Sequence, residues 1–179
     1  MRIHQTFDIA ASAERVWDIL GPNYTRAGDW ASGVYLSAPR AGTPQVAGAP
    51  AVGRTCQTSL GPFTESIIAY DDDRRHVAYV ATGDKMPGFV RRLANSWTVE
   101  PAGPNAARVT MELEADIAQP FRTLMGWMMK RQFSKVLAES TDDLKIYAET
   151  GRPSARKRKA DASKQAKAAR ATPIGAPAG

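Results

Sequence analysis

The sequence predicts an α+β fold: a curved antiparallel β-sheet wrapped around a long C-terminal α-helix, with two short helices near the N-terminus. Three observations carry this. Strand-like and helical segments are segregated along the chain, which argues against an alternating α/β sheet. Residues 54–117 read as consecutive strands separated by turn signals. Residues 120–150 then carry apolar side chains at helical spacing up to Gly151-Arg152-Pro153.

Each element has its own local signature. Residues 3–9 alternate, with Ile3, Gln5, Phe7 and Ile9 on one face and His4, Thr6 and Asp8 on the other, the pattern of a half-buried strand. Ser12 is the expected N-cap of a helix whose apolar face is Val16, Trp17, Ile19 and Leu20, ended by Gly21-Pro22. A second short helix is expected around residues 23–27, and a strand over 30–38. Three Pro and three Gly make residues 39–53 a loop. Strands over 54–60 and 63–70 meet at Gly61-Pro62, and the next strand covers 76–82. Residues 90–99 and 108–117 form a long hairpin around Pro101-Ala102-Gly103-Pro104-Asn105. The last strand sets Val109, Met111, Leu113, Ala115 and Ile117 against Thr110, Glu112, Glu114 and Asp116, one face buried and one wet. Pro120 falls in the first turn of the long helix. Its expected stripe includes Phe121, Met125, Met128, Leu137, Leu144 and Tyr147. A sheet curved around one helix leaves a cavity between them unless bulky side chains fill it.

The 179 residues suit one domain with a real core. The net charge of +6 would suggest a nucleic-acid partner, but its distribution does not. Residues 151–179 hold eight Lys/Arg and one acid, Asp161, leaving residues 1–150 with 16 basic and 17 acidic residues. The domain boundary is therefore set at 150, followed by a basic Ala/Lys/Arg-rich tail expected to be disordered. That tail has a basic cluster at 156–159 for weak contact with anionic lipid or nucleic acid, but no aromatic residue for base stacking. No apolar run is long enough to cross a membrane, and the N-terminus lacks an apolar leader core. One cysteine, Cys56, and two histidines assemble neither an internal disulfide nor a zinc cluster, so a reduced, cytoplasmic protein without a metal is expected.

Three stretches together resemble a known family. Ser12 to Leu20 is similar to its x-x-V-W-x-x-L opening, and Asp29-Trp30 followed by Gly33-Val34 to its approach to the second strand. Val52-Gly53-Arg54, then Glu65 to Asp71, then Ala78-Tyr79-Val80, resembles its Gly-x-x-R … E-x-(I/L)-x-x-(Y/D)-D … Y-x-(I/V) progression. The family is the START-like, or SRPBCC, helix-grip superfamily, in particular its polyketide cyclase/dehydrase and lipid-transport branch, and the resemblance covers about residues 1–150. It implies a helix-grip domain with an internal pocket for a small hydrophobic or lipid-like molecule, without a cofactor. The fold hosts both carriers and enzymes, so binding or transport is the first reading. A polyketide cyclase/dehydrase-like or hydrolase activity on an aromatic substrate is the alternative.

The expected pocket lining follows from both arguments. Trp97 and Asn95 come from one strand of the hairpin and Met111 from the other. Met125, Met128 and Gln132 come from the helix, with Met86 in a mouth loop beside Gly61-Pro62. Flexible, polarisable methionines suit an adaptable pocket, although the same periodicity is that of an ordinary core. Asn95 and Gln132 are amides on apolar faces, which need partners or orient a ligand. Trp30, Tyr35 and Tyr79 add aromatic walls and hydroxyls. Glu65 lies in a strand rich in Ile and Tyr. It either turns inward with Arg54 as partner, or forms a cross-strand bridge on the outer face, the more ordinary arrangement. His4 and His76 are expected at the surface, and no His is placed to activate Cys56. No catalytic residue is assigned.

Overall fold

The computed structural model describes residues 1–171, apart from the Met125 side chain. Seven strands form one antiparallel sheet: β1 (Arg2–Ile9), β2 (Val34–Pro39), β3 (Gly53–Thr58), β4 (Gly61–Asp71), β5 (His76–Gly83), β6 (Val90–Gly103) and β7 (Ala106–Ile117). Their order is β1-β7-β6-β5-β4-β3-β2. Five hairpins thus follow one another from β2 to β7, and β1 closes on the last strand, pairing Ile3 with Leu113 and Phe7 with Val109. The alternation of β7 buries Val109, Met111, Leu113, Ala115 and Ile117, and turns Glu112 and Glu114 toward Arg2, His4 and Arg92 on the outer face.

Helix α1 (Ala13–Leu20) starts where Ser12 accepts a hydrogen bond from the Arg15 amide at 3.3 Å, and buries Val16, Trp17, Ile19 and Leu20. A 3-10 segment, Tyr24–Asp29, follows. The expected strand over 30–38 begins later, at Val34. Trp30 and Ala31 both donate to the Ala27 carbonyl, and Val34 donates to the Ala31 carbonyl, so residues 30–33 are a turn.

Helix α2 (Phe121–Thr150) runs its full expected length and ends on Gly151, whose φ of +70° lets its amide cap the Tyr147 carbonyl. The buried stripe differs from the expected one. Met129, Leu137, Leu144 and Ala148 are buried with Phe133 beside them, at spacings of four and seven, whereas Phe121, Met128 and Val136 are exposed. The stripe is wide enough in sequence to allow either rotation, and packing against the sheet selects the one centred on Leu137 and Leu144.

The expected disordered tail is corrected over most of its length. Residues 155–161 and 164–171 form helices α3 (Ala155–Asp161) and α4 (Lys164–Ala171); α4 packs against β2 and β3, and α3 packs against α4. Composition argued for disorder because the segment has almost no large apolar residues. The order comes from polar anchors instead. Lys157 is fully buried and donates to the Val34 carbonyl at 2.7 Å and to Asp161 at 2.8 Å. Asp143 of α2, also fully buried, accepts from Ser154, the Ser32 amide and Arg156. Residues 172–179 lie outside the described residues, and no described helix is long and apolar enough to cross a membrane.

Candidate functional site

The third and fourth strands approach each other unusually closely. A Cβ at Gly53 would overlap the Glu65 carbonyl oxygen, so only glycine permits the approach that sets Arg54 opposite Glu65. Both side chains point into the fold. Arg54 Nε donates to Glu65 Oε2 at 2.7 Å, Arg54 Nη1 donates to the Tyr24 carbonyl at 2.6 Å, and the guanidinium lies 4.2 Å from the Tyr24 ring centroid. Tyr24 Oη donates to the same Glu65 Oε2 at 2.8 Å. The outer-face reading of this pair is thus corrected. Arg54 and Glu65 line one cavity with Leu137 and Ser140 of α2, so the charged pair is on the helix-facing side of the sheet.

Beside the pair is a cavity of about 140 Å³. Ile19, Leu20, Ala27, Trp30 and Ala31 wall it on the N-terminal side, Leu137 and Ser140 come from α2, and Val34 from β2. Its polar lining is Arg54, Glu65, Tyr79 and Asn95, with Tyr24 and Trp97 alongside. Tyr79 Oη accepts from Asn95 Nδ2 at 3.0 Å and from Trp97 Nε1 at 3.3 Å, so its own proton is the remaining donor. Asn95 Oδ1 is buried and has no hydrogen-bond partner among the described residues. Both hydrogen bonds described for the Glu65 carboxylate end on Oε2.

Burial dominates the protonation states here. It pushes the Tyr79 hydroxyl up to about 12, helped by the nearby Glu65 charge, and raises Tyr24 further still. Burial opposes the Arg54 charge, yet Glu65, Tyr24, Cys56 and Tyr79 together outweigh it and hold the guanidinium well above its ordinary value. Cys56, two residues after Arg54 in β3, is pushed up to about 12 by burial. Its thiol is therefore inert when folded. Iodoacetamide at pH 8 is expected to label it about a thousandfold more slowly in native protein than in urea, read by intact mass; equal rates would mean that this part of the sheet opens readily.

A second, larger space is bounded by the same sheet and helix. A groove of about 510 Å³ runs between α2 and the loop connecting β5 to β6, lined by Phe63, Met86, Leu93, Met129, Phe133 and Val136, with Gln132 at its edge. Leu93 and Asn95 share one face of β6, and Phe133 and Leu137 one face of α2, so the groove lies one step along each element from the polar cavity.

The expected site residues therefore divide. Trp30, Arg54, Glu65, Tyr79, Asn95 and Trp97 surround the inner cavity, and Met86 lines the groove. Three depart from expectation. Tyr35 faces away from the cavity, opposite to Val34, and its hydroxyl donates to Gln165 of α4 at 3.2 Å. Met111 is fully buried in the main core cluster, and Met128 is on the exposed side of α2, where Met129 takes the inward position. The Met125 side chain lies outside the described residues. Tyr24, Ala27, Ala31 and Ser140 went unanticipated. Small residues carry no signal of lining a void, and Tyr24 sits in an otherwise polar segment.

Known proteins share this architecture. Norcoclaurine synthase from Thalictrum flavum superposes with a TM-score of 0.65 at 17% identity, over 84% of this chain and 94% of that one. A START superfamily protein from Mycobacterium smegmatis gives 0.61 at 14% identity, over 78% and 93%. The Bacillus cereus protein XoxI gives 0.64 at 15% identity, over 80% and 92%. At such identities the likeness is one of fold. No curated protein matches the chain in sequence. The family model described as polyketide cyclase/dehydrase and lipid transport matches residues 1–149, essentially the whole sheet and α2, and the chain belongs to that family.

Proposed function

We propose that the protein binds a small amphipathic molecule, its hydroxyl-bearing end in the inner cavity and its apolar remainder along the groove. One observation carries this reading: the buried, unpartnered Asn95 Oδ1. A buried acceptor without a partner costs about 1–3 kcal/mol, which a ligand donor would recover. The adjacent Tyr79 proton supplies a donor, and one hydroxyl satisfies both because it donates and accepts. An anionic head group fits less well, because Glu65 and the Tyr24 carbonyl already engage Arg54. A void of about 140 Å³ is close to that known to take a single aromatic ring.

The test compares 4-hexylphenol with hexylbenzene by calorimetric titration. The phenol is expected to bind about tenfold more tightly, and Asn95→Leu to abolish that difference while leaving hexylbenzene binding intact. Equal affinities for wild type, or no binding of either, would overturn the reading. Native mass spectrometry of freshly purified protein, followed by extraction, would give the class of any resident ligand.

Convergence of Arg54, Glu65, Tyr79 and Asn95 on one cavity favours a second reading, turnover of an aromatic or polyketide-like substrate held folded there. Under it Glu65 Oε1 takes the proton from carbon and the Tyr79 hydroxyl gives its proton to the departing hydroxyl, which leaves as water. Loss of water from a supplied hydroxylated polyketide, read as a mass change in the extracted ligand, separates this reading from binding alone.

A further inference from the structure

We infer that the outward face of the first half of α2, together with the turn between β3 and β4, docks on an anionic lipid bilayer. The face is unusually apolar for one that meets water. Trp127 is 71% exposed, Leu124 68% and Leu60 58%, and Phe121 and Met128 are exposed with them. On α2 these residues recur at spacings of three and four, so they form one surface and not scattered positions. Contiguous exposed apolar area of this kind marks an interaction site.

Charge identifies the partner. Residues 121–138 contain Arg122, Lys130, Arg131 and Lys135 and no acidic residue at all. Arg131 and Lys135 continue the spacing of Leu124, Trp127 and Met128, and so flank the apolar strip on the same face. Lys130, Arg131 and Lys135 have no ion-pair partner among the described residues, whereas Arg156, Lys157 and Arg170 of the C-terminal helices are engaged internally. Exposed Trp and Leu beside unpaired Lys and Arg match a bilayer boundary, where indole and aliphatic groups enter the headgroup region and cations meet lipid phosphates. A second copy of the chain fits less well, since a two-fold contact would set the same cations against each other. The exposed Val136 and Leu60 also line the groove, so a docked protein would open its groove toward the lipid.

The experiment is co-sedimentation of the full chain with phosphatidylcholine vesicles, with and without about 30% phosphatidylglycerol. Tryptophan emission gives a second readout, because Trp17, Trp30 and Trp97 are buried and a blue shift on vesicle addition reports Trp127. Binding is expected only to the anionic vesicles, and to weaken about tenfold when salt is raised to about 0.5 M. Leu124→Ser with Trp127→Ser, and separately Lys130→Glu with Arg131→Glu and Lys135→Glu, are each expected to lower partition at least about tenfold without shifting the thermal midpoint. Absence of binding to anionic vesicles, or unchanged binding by both variants, overturns the inference. So does a concentration-dependent dimer that Trp127→Ser abolishes, which would assign the face to a second copy. The 4-hexylphenol titration is independent of vesicles, so failure here is separable from failure of the pocket reading.

Discussion

Replacing Arg54 with Met is expected to lower the stability of the protein by about 3–5 kcal/mol, read as the urea unfolding free energy. The Arg54 and Glu65 side chains are only 9% and 14% exposed, so removing the guanidinium strands a carboxylate beside the Tyr24 hydroxyl in a largely apolar setting. The loss extends beyond charge. Arg54 also donates to the Tyr24 carbonyl and packs on the Tyr24 ring, anchoring the 3-10 segment to the sheet. Arg54→Lys therefore retains the charge and forfeits the fork and the ring contact, and should fall between. The double variant Arg54→Met with Glu65→Leu is expected to regain most of the loss, because apolar replacement of a whole buried pair is often neutral. A single variant as stable as wild type would show that the pair is hydrated, and the cavity wetter than its lining implies.

Asp143→Ala is expected to cost about 3 kcal/mol and to release the C-terminal helices. The carboxylate ties three elements together: the Ser32 amide ahead of β2 at 2.8 Å, Ser154 at 2.5 Å and Arg156 at 3.3 Å. Ser154 in turn caps α3 by accepting from the Lys157 amide at 3.0 Å. Without Asp143 the cap and the buried Lys157 lose their anchorage, and trypsin should cut first within residues 156–159 while the remaining domain persists. Equal trypsin resistance in wild type and variant would mean that Lys157 and its bond to the Val34 carbonyl suffice alone. The same reasoning predicts that deleting residues 152–179 lowers the thermal midpoint, whereas a disordered tail could be removed without consequence.

The elements were largely legible because their causes are local. Two-residue alternation in β1 and β7, the turn signals between strands and the apolar spacing of residues 120–150 act within a few residues of one another. Ser12 and Gly151 mark helix ends for the same reason, through hydrogen bonds made to their own neighbours. The motif running through Gly53-Arg54, Glu65 and Tyr79 also pointed to the residues that meet at the cavity. It did not say on which side of the sheet they meet.

What sequence alone determined was the α+β class, the near-complete set of strands and one long amphipathic helix, because hydrogen-bonded periodicity repeats over short distances. What only the tertiary structure decided was the choice of face. The inward turn of Arg54 and Glu65, the preference for Met129 over Met128, and the removal of Tyr35 from the cavity all depend on which surface another element covers. The order of residues 155–171 was decided the same way. Composition counts their charges but cannot pair them, and Lys157 is buried only because Val34 and Asp161 present it with oxygens. Long-range partners turn a solvating tail into a structural strap, since a buried ammonium is tolerated only where acceptors are already in place.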